Sequence, residues 1–414
     1  MQGETRSVVA LLSSVLSATT ATALLSTVLG KLVFDITGSE LALGLLGLAE
    51  FAPAAVLVFV TGPLADRVDR RRLSALALGA EALVAVGMAV YVSTNPTSTA
   101  PIFALVVAFG TARAFANPAS RSLPADTVPP ARLPWLTARQ AATWQGALVL
   151  GPVLGGFLYV VHPWVPFAAA AVLVMIAAMT ILTVEVRPFE RIPVADDDED
   201  RPSMHQAVEG LRFVRSQPIL FGAISLDLFA VLFGGAVALL PAIAEDRLGV
   251  GAVGLGWLRA ATGIGAGIVA LYLTVRPVSR HIGRTLLAVV ALFGVGTIVL
   301  GATTSFAVAF VSLLVLSGAD AVSVFIRSTL VPLVTPADKR GRVLAVEAVF
   351  IGASNELGAF ESGVAGELLG SAPAVILGGA ATLAVAGVYS VCFTELRRID
   401  RFPQAVEEDA RGPG

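Results

Sequence analysis

The chain is poor in charge and in the residues that crosslink or hold metals. Only 14% of its 414 residues are Asp, Glu, Lys or Arg, against about 25% in a soluble domain. A single cysteine, Cys392, excludes an intrachain disulfide and a cysteine-based metal site. The three histidines, His162, His205 and His281, are too scattered for ligand spacing, so no metal is expected. A net charge of −2 argues against nucleic acid as the partner. No phosphate-binding Gly-x-x-x-x-Gly-Lys-Ser/Thr loop, His-Glu-x-x-His or Gly-x-Ser-x-Gly occurs, so neither an enzyme nor a cofactor is expected.

What remains is apolar. Hydrophobic residues make up 56% of the chain and the mean hydropathy is +0.82. No water-soluble fold would hide this much apolar surface, so the solvent must be lipid. Twelve apolar runs each approach the ~20 residues that carry a helix across a ~30 Å hydrocarbon core. They lie near 8–34, 41–62, 73–93, 101–122, 138–161, 164–186, 218–241, 253–275, 285–302, 305–327, 343–368 and 373–395. Backbone groups cannot stay unpaired in lipid, so all twelve must be helices. The first run is too long for a cleavable signal peptide.

Basic residues then orient the chain. With the N-terminus in the cytoplasm, 24 of the 28 fall on inner loops or inner membrane ends. Only Lys31 and Arg247 fall outside, while Arg113 and Arg259 lie within spans. This asymmetry places both termini in the cytoplasm. The longest loop, 187–217, carries the acidic run "ADDDED" (195–200) and then "SMHQAVEGLRFVRS" (203–216), which reads as an amphipathic helix. The expected organisation is an N-terminal six-helix bundle over 1–186, a cytoplasmic linker over 187–217, a second six-helix bundle over 218–396 and a cytoplasmic tail over 397–414. Weak internal similarity links the halves: Arg121, Val128 and Pro130 recur as Arg327, Val334 and Pro336. Paired repeats around a midplane site are a transporter architecture.

Two motifs sharpen this. The loop between spans 2 and 3 reads "GPLADRVDRR", and its Gly62, Asp66, Arg67, Arg70 and Arg71 resemble the signature loop of the major facilitator superfamily. Asp69 stands where that signature has glycine. The resemblance implies a latch, in which Asp66 meets the start of span 11 and holds the outward-facing state. The plainer reading is that these arginines only anchor the loop. Span 5 contains "GALVLGPVLGGFL", where Gly146, Gly151, Pro152, Gly155 and Gly156 resemble the signature of the superfamily's proton antiporters. Its bland alternative is small-residue helix packing. Further stretches, including "ISLDLFAVLFGGAVALLP" (224–241), are similar to bacterial siderophore and macrolide exporters. The resemblance implies an all-α membrane protein of twelve helices in two pseudo-symmetric bundles around a central cavity.

Charges within spans are expensive and so are functional candidates. Asp227 lies ~14 Å into span 7 and Glu356 ~20 Å into span 11 by helical rise. A carboxylate in a partly desolvated cavity can bind and release a proton as access alternates. Asp227 is the first candidate for proton coupling and Glu356 the second. The alternative for Asp227 is a fixed ion pair with Arg259. Arg113, Arg259 and Glu50 are further embedded charges, with Glu81 at similar depth. Phe229, Phe233 and Trp257 are candidate cavity aromatics. Asp320 and Arg327, seven apart on one helical face, form an expected inner charge network with Arg121. The expected function is monomeric, proton-driven export of amphipathic small molecules, such as drugs or siderophores, across a bacterial cytoplasmic membrane. The alternatives are transport of a lysophospholipid or other lipid and, less in keeping with so short a loop and tail, a non-transporting membrane sensor.

Overall fold

The computed structural model describes residues 2–186, 204–336 and 339–403. Among the described residues, twelve helical segments are long and apolar enough to cross a membrane. The chain forms an all-α fold that divides into two compact units.

The first unit spans Met1–Val194 and Val237–Gly263. It contains α1 (Gln2–Thr37), α2 (Glu40–Arg67), α3 (Arg70–Ser93), α4 (Ala100–Thr127), α5 (Leu133–Val161) and α6 (Val165–Leu182). Here α1 packs on α5 and α6, α3 on α4 and α6, and α2 on α4. Outward Leu76 and Leu83 are more than 70% exposed, as a lipid-facing surface requires.

The second unit spans Ala195–Ala236 and Ile264–Gly414. The linker helix α7 (Met204–Ser216) and α8 (Pro218–Phe233) are followed by α9 (Leu240–Ala242) and α10 (Gly251–Val275), which the unit boundary cuts. Then come α11 (Ile282–Ala302), α12 (Phe306–Val334), α13 (Arg340–Leu369), α14 (Ser371–Cys392) and α15 (Thr394–Arg398). In this unit α8 packs on α13 and α14, and α11 on α12 and α14. That pairing order repeats the order of the first unit, with α8 in the place of α1. Residues 237–263 group with the first unit.

Span 7 is not the single helix its apolar run predicts. α8 stops at Phe233, Gly234 and Gly235 follow, and the chain continues as a 3₁₀ segment (Ala236–Leu239), α9 and a π-helical turn (Ile243–Arg247). Two glycines and Pro241 supply the break. Interrupted helices are tolerated in a membrane only where protein covers the freed backbone, and here it does. A Cβ on Gly235 would lie 2.4 Å from the Gly358 carbonyl oxygen of α13, and one on Gly378 of α14 would lie 2.2 Å from the Phe233 carbonyl oxygen.

Candidate functional site

The second unit places its charges around one arginine. Arg327 on α12 has a side chain only 4% exposed, and its Nη2 lies 2.7 Å from Asp227 Oδ1 on α8. Its Nε donates to Ser323 Oγ one turn earlier, at 3.4 Å. Asp320 and Glu347 also act electrostatically on Asp227, and the charge of Arg327 reaches both. Asp227, Asp320 and Ser323 line a narrow cleft with Phe293 and Val289, with room for about one water molecule.

This arrangement corrects the alternative read from sequence, in which Asp227 pairs with Arg259. The partner is Arg327, because packing of α8 brings the two side chains together. Glu347, 8% exposed on α13, was missed. Only its apolar flanks, "LAVEAVF", hinted at burial. Glu356 on the same helix is half-buried. Phe229 and Phe233 stack on each other at 6.4 Å along α8, whereas Trp257 sits in the first unit, 39% exposed.

The first unit has two charge clusters of its own. Glu50 on α2 accepts a hydrogen bond from Arg113 on α4 at 2.6 Å. Both act on Glu81 of α3, which is only 3% exposed. Near the C-terminal end of α1, Lys31 bonds Asp35 and lies 3.0 Å from Glu245 Oε2. Tyr159 of α5 donates to Asp35 Oδ2 at 2.8 Å. The sequence marks Lys31 only as an outer charge and gives no sign of this cluster, because Asp35 and Tyr159 each stand singly between apolar residues and Glu245 sits in a charged run with Asp246 and Arg247.

The glycines of span 5 act at two faces. A Cβ on Gly151 would lie 2.6 Å from the Thr20 carbonyl oxygen of α1, and Gly155 is similarly pressed by Val28 and Leu24. A Cβ on Gly156 would meet the Ala252 carbonyl oxygen of α10 at 2.5 Å. The carbonyl oxygen of Pro152 approaches Gly256 just as closely. Gly146 is different, with open space where its Cβ would be.

Gly62, Asp66 and Arg67, expected in a loop, fall on the last turns of α2, and their side chains lie outside the described residues, as does that of Arg121. The remainder is well defined. Asp69 is the N-cap of α3, its carboxylate accepting from the backbone of Arg71 and Arg72 and pairing with both guanidinium groups. Hydrogen bonds from the Arg71 side chain, with lesser help from the backbone, hold its carboxyl below the usual carboxylate range. The aspartate that replaces the expected glycine therefore starts the helix rather than disturbing a turn. Arg70 bonds Asp126 near the C-terminal end of α4 at 2.8 Å. Arg71 donates to the Val184 carbonyl just beyond α6 at 2.9 Å.

No curated protein matches the chain. Solved structures similar to it include a bacterial homolog to the human lysosomal transporter Spinster in an inward-facing and occupied conformation. That structure is 15% identical over 94% of this chain and 95% of that one, with a TM-score of 0.69. The nucleoside transporter NupG is 14% identical over 95% and 99%, with a TM-score of 0.70. The peptide transporter POT in complex with sulfate is 13% identical over 95% of each chain, with a TM-score of 0.70. At such identities the likeness is one of fold. Residues 10–359 match the model of the Major Facilitator Superfamily, and the chain accordingly belongs to that superfamily, a multi-pass secondary transporter rather than an enzyme.

Proposed function

We propose that the chain exports amphipathic small molecules, of drug or siderophore type, in exchange for protons. It works as a monomer in a bacterial cytoplasmic membrane with both termini inside. The halves 1–186 and 218–396 alternate access to the cargo, with 187–217 as linker and 397–414 as tail.

One observation carries the coupling. Arg327 faces three carboxylates, Asp227 in contact and Asp320 and Glu347 nearby. Uncompensated charge within a membrane is costly. One guanidinium balances one carboxylate, so protons must balance the others, and a site short of cations takes up and loses protons as its access to water changes. Asp227 carries the exchanged proton: it borders the cleft, and Arg327 can balance either it or one of its two acidic neighbours, so that Asp227 holds a proton when it is not the balanced acid. Glu356 is the second candidate. The likeness of Gly151–Gly156 to the antiporter signature supports export over import.

The test uses everted vesicles with carboxyfluorescein and rhodamine 6G, an anionic and a cationic amphipathic dye, as probes. Accumulation should need an inward-acid gradient and fall to background in Asp227→Asn. Accumulation that survives collapse of the gradient by an uncoupler would sink the coupling. The lipid alternative draws support from an apolar groove of about 410 Å³ between α11 and α12, bordered by Leu292, Val299 and Val311. It predicts sideways entry of cargo and transport insensitive to Asp227→Asn.

A further inference from the structure

We propose that Arg259 is an anion-binding residue, and that the cargo bears a carboxylate, phosphate or sulfonate. Calling the ligand cargo rests on the transport reading above; the binding itself does not depend on coupling.

Arg259 extends from α10 toward α1 inside the first unit. Its Nη1 donates to Ser26 Oγ at 3.1 Å. Its Nη2 lies beside Gly30, where a Cβ would sit 3.7 Å from it and 3.1 Å from Pro241 Cγ. Its Nε is closed off from solvent and has no hydrogen-bond partner among the described residues. A guanidinium is always charged and offers five donors. Ser26 supplies one neutral acceptor.

The other embedded cations are treated differently. Lys31, Arg113 and Arg327 each hold a carboxylate within 3.0 Å. Arg259 has none at ion-pair distance among the described residues. Glu50 acts on it from further away, but Glu50 is already engaged by Arg113 at 2.6 Å. Glu81, the remaining acid of that cluster, acts with Arg113 and Glu50. A membrane-embedded cation without a contact counter-ion, and with a donor left unpaired, is a standing cost. A bound oxyanion removes it, accepting two parallel hydrogen bonds from the guanidinium. Change of access during transport opens the way to the group.

Purified full-length protein in detergent tests this with two xanthene dyes of similar size, read by fluorescence polarisation. Anionic carboxyfluorescein should bind more tightly than cationic rhodamine 6G. In Arg259→Gln the anion should lose about 10- to 100-fold in affinity, the range expected for hydrogen bonds to a charged group. The cation should lose nothing. Arg259→Lys, which keeps the charge without the fork, should keep the preference for the anion at reduced affinity, and it serves as the readout if Arg259→Gln does not fold. Dihexanoyl phosphatidylglycerol and dihexanoyl phosphatidylcholine as competitors separate the sources. Displacement by the first alone assigns the site to a lipid headgroup, and displacement by neither assigns it to a soluble anion. Equal affinity for the two dyes, no binding of carboxyfluorescein, or an unchanged anion affinity in Arg259→Gln overturns the proposal. So does loss of both dyes at unchanged melting temperature, since Arg259 would then shape the site without reading charge. Accumulation undiminished in Asp227→Asn, with dye preference intact, removes only the coupling reading.

Discussion

Removing Arg327 should harm the protein more than removing its partner, and the asymmetry follows from the charges around it. Arg327→Leu deletes a cation that is 4% exposed and leaves Asp227, Asp320 and Glu347 with no positive charge among them. Breaking a buried pair from one side costs about 3–5 kcal/mol. Asp227→Asn keeps the shape and one oxygen that still accepts from Arg327, and the guanidinium still faces two acids. What is lost is the charge assistance of one hydrogen bond, about 1–2 kcal/mol. The gap of about 2–3 kcal/mol corresponds to roughly 30- to 150-fold in the unfolding equilibrium. Denaturant and thermal unfolding of both variants in one detergent, followed by tryptophan fluorescence, measures it. Two further signs are expected. Adding Asp227→Asn to Arg327→Leu should recover stability, and the Arg327→Leu deficit should shrink as pH falls, because protons replace the missing cation. Should Asp227→Asn prove as damaging as Arg327→Leu, the idea of a cation-poor site is refuted.

Other outcomes follow from the geometry. Gly156→Ala puts a methyl 2.5 Å from the Ala252 carbonyl oxygen and should cost about 1–3 kcal/mol by overpacking. Gly146→Ala meets nothing and should be neutral or stabilising by up to about 1 kcal/mol from helix propensity; similar melting temperatures for the two would contradict the packing. Asp69→Ala should cost about 1 kcal/mol as a lost N-cap. Because the folded carboxyl titrates below its unfolded value, that contribution is present above the unfolded value and fades as pH falls through the folded one. The melting curves of wild type and Asp69→Ala should therefore converge toward acid pH. Lys31→Met leaves Asp35 and Glu245 facing each other without their cation and should lower the melting temperature more than Tyr159→Phe, which removes a single hydrogen bond.

The fold was legible because lipid imposes a coarse rule: about twenty apolar residues make a span. The break after Phe233 was written in Gly234, Gly235 and Pro241, yet the surrounding apolar run masked it. Partnerships were harder. In a soluble helix an apolar stripe marks the buried face, but here the lipid face is equally apolar, so periodicity does not say which way Asp227 or Glu347 points. Arg259 stands in the sequence only as one example of an ion-pair partner for Asp227. The true partner lies 100 positions away, on a helix that packing alone brings close. Arg113 and Glu50 were each visible as embedded charges, but not as a pair, for the same reason.

The interrupted span after α8 has a further consequence for how this sequence can drift. Its exposed carbonyls are screened by bare backbone on two other helices, at Gly358 and Gly378. A side chain at either position would push into the gap, and a repaired helix through Gly234 and Gly235 would leave both glycines without purpose. Four glycines at three separate places in the chain are thus expected to be inherited together, so that relatives with a continuous seventh helix should carry larger residues at all of them.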